Sequence, residues 1–148
     1  MAFIPYLSQD KIPVDHRVSD HDNIVQIHSV HSKVMKMHLD LYLEMMRKKG
    51  PLSFIQREMI AVLVSSINKC FYWVTHHEAG LRFRMSKSNI GQGEQDKLIS
   101  SLKENYKKAE ISADDMAMLD YAVQLTEDPA SISELHVTEL RNHGFSDL

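Results

Sequence analysis

The sequence is short of the residues that punctuate or staple a chain. Of 148 residues only five are glycine and four proline, one is cysteine and one tryptophan. A single cysteine excludes an internal disulfide framework and suits a reducing compartment, so a cytoplasmic location is the expectation. No apolar run approaches the ~20 residues of a membrane span. The opening MAFIPYLSQDK lacks the basic start and long apolar core of a secretory signal. Lys and Arg form no extended basic run and the net charge is −3, so neither nucleic acid nor a membrane surface is expected as a partner. Internal repeats and low-complexity segments are absent from the sequence.

What is present reads as one helical domain spanning 1–148. Hydrophobic residues make up 43% and charged residues 25%, the balance of an ordinary soluble domain. Little Gly and Pro, together with nine Met, favour long uninterrupted helices and an all-α fold. Residues 1–22, with Pro5 and Pro13, read as an extended N-terminal arm. Ile24, Ile27 and Val30 predict a short helical piece, with a restart at Ser32. Val34, Met37, Leu41 and Met45, widened by Leu39 and Leu43, predict the packing stripe of the next helix, which Gly50-Pro51 ends. Residues 86–93 read as a loop. Further helices follow over Glu94–Tyr106, after a Ser112 cap, and from Ser133 to a closing Gly144. Phe145-Ser146-Asp147-Leu148 has the pattern of a new helix start, so a continuation beyond it is expected.

The chemistry concentrates in Ser53–Arg84, SFIQREMIAVLVSSINKCFYWVTHHEAGLRFR. Ser53 and Gln56 form a capping box, and from Ile55 to Ile67 apolar residues nearly fill the helix circumference. Glu58 lies inside that run, where a carboxylate needs a partner. A tight turn is expected at Asn68-Lys69, with a second helix opening near Cys70. A helix N-terminus beside a lysine is the setting that makes a thiol reactive. Cys70, Trp73 and His77 then share one helical face. Antiparallel packing of the two helices would bring Glu58 level with His77, the outline of a proton relay. His76 points about 100° away from His77 and reads as a packing or surface residue; Tyr72, near the thiol in sequence, reads either as a hydrogen-bond donor to it or as core.

Glu58, eleven residues, Cys70, two residues, Trp73, three residues, His77 resembles the E-x11-C-x2-C-x3-H signature of alkylhydroperoxidase D-like proteins, in the carboxymuconolactone decarboxylase superfamily. The wider text REMIAVLVSSINKCFYWVTHHEAGLR resembles the peroxidase-related branch. FIPYL, GPLS, MLDYAVQLTEDPASISE and LRNHGFSD extend the likeness over nearly the whole chain. The resemblance implies a compact helical bundle around a central helix-turn-helix hairpin. It also implies a thiol-dependent alkyl hydroperoxide reductase with antioxidant function. In such enzymes the second cysteine attacks the peroxide, the first resolves the disulfide, and Glu and His move protons. The substrates implied are a small hydroperoxide and an external thiol reductant, with no cofactor and no metal. This sequence departs from the signature at the attacking position, which is Trp73. Some relatives carry selenocysteine in the motif, and the Trp codon is one base from both UGA and the Cys codons.

Losing the second thiol impairs a dithiol cycle, because Cys70 alone reaches a sulfenic acid and needs an outside thiol to return. Two non-redox alternatives stand beside it: an acid–base enzyme using Glu58 and His77 without thiols, and an inactive oligomeric scaffold. His28, His31 and His38 fall on one side of a single continuous helix, but His38 stands about 10 Å along the axis from His31, too far to share an ion. Apolar residues on more than one face of the central helices predict a homo-oligomer. Its expected interface buries the Ser53–Arg84 helices or the patch beside Phe145.

Overall fold

Capping chemistry sets the helix boundaries. A computed structural model of the chain describes residues 4–147, and among them the secondary structure is helical throughout, with no strand. The α-helices are α1 (Asn23–Gln26), α2 (Ser32–Arg47), α3 (Phe54–Ile67), α4 (Phe71–Lys87), α5 (Gln92–Glu104), α6 (Ala113–Glu127) and α7 (Glu134–Asn142). The Ser53 hydroxyl accepts from the Gln56 N–H at 3.1 Å while the Gln56 side chain accepts from the Ser53 N–H at 2.8 Å, the reciprocal box expected at the start of α3. The Ser112 hydroxyl accepts from the Asp115 N–H and opens α6.

Three helices end in the same device. The residue past the cap turns left-handed, and the next N–H reaches back five residues along the chain. It is built on Lys69 (φ 53°) after α3, on Asn89 (φ 59°) after α4 and on Gly144 (φ 81°) after α7. The closing bonds run from the N–H of Cys70 to the Ser65 carbonyl, of Ile90 to Met85, and of Phe145 to Leu140. At Asn89 the device lets α4 run on to Lys87, so the connection to α5 is shorter than the loop read over 86–93. Only glycine adopts the left-handed region without steric cost, so the lysine at 69 carries about 1 kcal/mol of strain.

The described chain divides into two compact units, one ending at Lys49 and one beginning at Gly50. In the first, Ile12, Val25, Met35 and Leu39 form a buried cluster, with Leu7, Val18, Ile24 and Tyr42 packed against it. The segment read as an extended arm makes two 3-10 turns, Gln9–Lys11 and Val14–His16, and buries Ile12. The α2 packing stripe differs from the reading of its sequence. Met35 and Leu39 turn inward, whereas Val34, Met37, Leu41, Leu43 and Met45 are exposed. This helix carries two apolar faces, and periodicity alone does not choose between them.

In the second unit α3 packs most extensively on α4, then on α6 and α5. Met59, Val62, Leu63, Leu81, Met85, Ile99, Leu102, Met118 and Leu119 make its buried core. The Gln56 amide donates to Asp115 at 2.8 Å and fixes the start of α3 to the start of α6. On the outer side of α4, Glu78 joins Arg82 and Lys103, and Arg82 reaches Asp96. Burial pushes the Glu78 carboxyl up, but the N–H donors of Lys103 and Arg82 outweigh it and hold the group below its ordinary value.

Candidate functional site

The three-residue turn between α3 and α4 makes a hairpin, and the hairpin puts position 58 across from position 77. Glu58 is 2% exposed, and one of its oxygens, Oε2, stands 2.8 Å from Nδ1 of His77, itself 7% exposed. A carboxylate this deep, in a helix whose neighbours are apolar, is stabilised by such a charge-assisted bond and strongly destabilised without it. With the Nδ1–H donating to Glu58, the imidazole holds one tautomer, and its Nε2 is the atom left to exchange protons.

Trp73 covers the relay. Its ring stacks on His77 with centroids 5.2 Å apart and planes 20° from parallel. Around this stack, His76 meets both Trp73 (5.5 Å) and His77 (5.4 Å) edge-on, and Tyr72 meets Trp73 edge-on at 5.3 Å while lying nearly parallel to His76. Four rings from consecutive turns of α4 therefore form one cluster over the Glu58–His77 bond. Tyr72, read from sequence as a hydrogen-bond donor or core residue, and His76, read as a packing or surface residue, belong to it. Single-residue reading gave no signal for this, because a ring cluster is a property of the turn as a whole.

Cys70 caps α4 and is half-buried, a free thiol one turn before Trp73. The positions read as catalytic thus lie in order along one hairpin: thiol at the helix start, indole one turn on, imidazole another turn on, carboxylate across from it. Cys70 and His77 are separated by about 10 Å of helix rise, so His77 lies beside position 73 rather than beside the thiol.

A further residue shapes the site and was not singled out from sequence. Gly80, one turn past His77, lies where a Cβ would come within 2.8 Å of the Glu58 carboxyl carbon and of both its oxygens. The only sequence signal is a small residue one turn beyond the histidine, on the side facing α3. In the other unit, the break between α1 and α2 brings the His28 ring to 5.0 Å from that of His38, a pairing that one continuous helix would not make. Among the described residues no three or more His, Cys, Asp or Glu side chains are grouped to hold a metal ion, and no helix is long and apolar enough to cross a membrane. A cleft of about 500 Å³ between α6 and α7, lined by Tyr106, Met116, Asp120, Tyr121, His136 and His143 among others, shares no residue with the Glu58–His77 pair.

Comparison with known proteins places this geometry. The family described as PA26 p53-induced protein (sestrin) matches residues 8–95. An uncharacterized peroxidase-related protein from Silicibacter sp. TM1040 is 34% identical with a TM-score of 0.74, over 84% of this chain and 61% of that one. The chain therefore spans less than two thirds of that protein's length. An uncharacterized peroxidase-related protein from Ralstonia eutropha JMP134, described as an alkylhydroperoxidase AhpD core, is 27% identical with a TM-score of 0.79, over 97% of this chain and 76% of that one. No curated protein gives a significant match.

Proposed function

The chain belongs to the alkylhydroperoxidase D-like superfamily, in the family of the PA26 p53-induced protein (sestrin), and from that premise we propose that it reduces small hydroperoxides by thiol chemistry at the α3–α4 hairpin. The observation that supports this reading best is the buried 2.8 Å bond between Glu58 and His77, aligned beneath position 73. Such a pair fixes a histidine for proton transfer at the residue above it.

With tryptophan at that position, Cys70 carries the sole thiol of the sequence. Its thiolate sulfur attacks the terminal oxygen of the hydroperoxide. An S–O bond forms and the O–O bond breaks, its electron pair leaving on the departing oxygen, which takes a proton and departs as the alcohol. Cys70 is left as a sulfenic acid. One external thiol condenses with it and expels water, giving a mixed disulfide. A second external thiol attacks the external sulfur and releases Cys70. In sum, one hydroperoxide and two thiols give one alcohol, one water and one disulfide. The relay stands too far from Cys70 to act on its sulfur directly, so turnover is slow. The role is antioxidant, in a reducing compartment such as the cytoplasm.

The test is hydroperoxide consumption with a generic thiol reductant, compared with Cys70→Ser, together with trapping of a sulfenic acid on Cys70. Consumption equal to that of Cys70→Ser overturns the proposal. The Glu58–His77 bond also favours a second reading, because it is complete without any thiol. This is acid–base chemistry on a cyclic acid, as in lactone decarboxylases. A rise in melting temperature with cyclic acids, in a protein inactive toward peroxide, would support it. A flat response to both leaves an inactive scaffold.

A further inference from the structure

Arg84 is held without a counter-charge. Its Nε is buried with no hydrogen-bond partner, the sole side-chain nitrogen or oxygen so placed among the described residues. Its other two guanidinium nitrogens are neither buried nor bonded within the chain, so they face solvent. Arg82, two residues earlier, reaches both Glu78 and Asp96, whereas no carboxylate among the described residues pairs with Arg84. A buried polar atom left unbonded is rare enough to call for a physical cause.

Antiparallel packing sets where the guanidinium lies. Because Glu58 meets His77, Phe54, one turn before Glu58, comes level with Arg84, two turns beyond His77. The guanidinium carbon of Arg84 stands 4.3 Å from the centre of the Phe54 ring and 5.6 Å from that of Phe83. Cation–π attraction to the two rings orients the group but leaves its charge uncompensated. Two more cations share these rings, Arg57 at 5.4 Å from Phe54 and Lys87 at 5.6 Å from Phe83. Arg57 is anchored by its Nε, which donates to the Leu52 carbonyl at 3.1 Å. Lys87 enters no salt bridge among the described residues. The negative end of α4 favours basic residues in its last turn. It does not explain a guanidinium fixed on rings among like charges, an arrangement that an anion would relieve.

We propose that this end of the α3–α4 hairpin binds a small phosphate-bearing ligand, with the two outer nitrogens of Arg84 donating to two phosphate oxygens and Lys87 and Arg57 adding charge. The planar fork of arginine matches phosphate in this bidentate way, and stacking on a ring orients it in advance. Three cations suit a dianion better than a singly charged carboxylate. A net charge of −3 and the lack of a longer basic run fit a compact ligand rather than a polyanion. Phe83, 53% exposed, offers an apolar face to whatever carries the phosphate. The site lies about 10 Å of helix rise beyond His77, and the proposal stands whether or not the hairpin reduces peroxides.

Nuclear magnetic resonance of the isotope-labelled full chain, titrated with inorganic phosphate at an ionic strength fixed by sodium chloride, tests it. The Arg84 Nε–H, being buried, should give a protected signal that shifts and saturates at millimolar phosphate. Phenyl phosphate binding several-fold more tightly would place the organic part against Phe83, and equal binding would make free phosphate the ligand. Benzoate should bind about tenfold more weakly than phenyl phosphate. Arg84→Gln, checked for helix content by circular dichroism, should weaken binding by about tenfold or more, and Lys87→Gln by about threefold. Lys87 is exposed, so its variant keeps the test open if Arg84→Gln fails to fold. Absence of a saturable shift overturns the proposal. So does an affinity unchanged in either folded variant, or benzoate bound as tightly as phenyl phosphate.

Discussion

Replacing Gly80 with alanine tests whether the Glu58–His77 bond depends on close approach of the two helices. The added Cβ would sit 2.8 Å from the carboxyl carbon and both oxygens of Glu58, whereas ordinary contact begins near 3.4 Å, so the carboxylate must give way by about 0.6 Å. Moved directly away from the imidazole, Oε2 would go from 2.8 Å to a separation of about 3.4 Å, beyond useful hydrogen bonding. Losing a buried bond to a charged group costs about 1.5–3 kcal/mol. Alanine recovers about 1 kcal/mol through its better helix propensity. The net expectation for Gly80→Ala is a loss of about 0.5–2 kcal/mol in urea unfolding. Emission from Trp73, the chain's sole tryptophan and stacked on His77, should change in the native baseline. Gly93→Ala is the control: nothing lies within 4 Å of a Cβ there, so it should gain a few tenths of a kcal/mol and leave the emission alone. If Gly80→Ala proves about 1 kcal/mol more stable than the parent with unchanged emission, the carboxylate has room and the reasoning fails.

Trp73→Cys should produce dithiol-dependent hydroperoxide consumption at least about a hundredfold above the parent, because it places a thiol over His77. Mass spectrometry should find a disulfide from the new thiol to Cys70, and a folded variant with no added activity would count heavily against the peroxidase reading. Lys69→Gly should stabilise the chain by up to about 1 kcal/mol by removing left-handed strain after α3, which thermal unfolding would show; a destabilised variant would mean that the lysine side chain matters more than its backbone. The bond to Asp114 raises His143 above its ordinary 6.5, against a smaller opposing push from burial and with help from Glu139. A raised folded value stabilises fully below 6.5 and is lost as pH rises through the folded value. Amide protection factors in α7 should therefore fall from about pH 6 to pH 9 and flatten in His143→Gln; a profile unchanged by that substitution would exclude the histidine as the cause.

Much of the hairpin was legible because its signals are local. The capping box needs only Ser53 and Gln56, and a carboxylate at 58 inside an apolar run demands a partner wherever the chain goes. The end of α3 was harder to read. No glycine marks it, and Lys69 adopts the left-handed form because the Ser65 and Ser66 carbonyls need donors. On α2 the failure was one of choice between faces. Val34, Met37 and Leu41 repeat as regularly as Met35 and Leu39, and only the position of Ile12 and Val25 decides which side is inward. Ile12 itself was hidden between prolines and charges in what read as an arm. Gly80 was invisible for a different reason: its importance lies in atoms of Glu58 that approach it from another helix.

These two kinds of information meet at position 73. The relay is held by α3 packing on α4, by the space at Gly80 and by a bond across the hairpin, and none of these requires a thiol above it. Fold and chemistry are therefore separable here. Tryptophan fills the place over His77 with an apolar ring that covers the imidazole, while the proton-handling pair underneath keeps its 2.8 Å geometry. Whatever residue occupies the position meets a histidine already fixed by Glu58, so on the reading proposed above the side chain at 73, rather than any rearrangement of the bundle, is what separates dithiol peroxide reduction, a single-thiol cycle on Cys70, and proton transfer without sulfur.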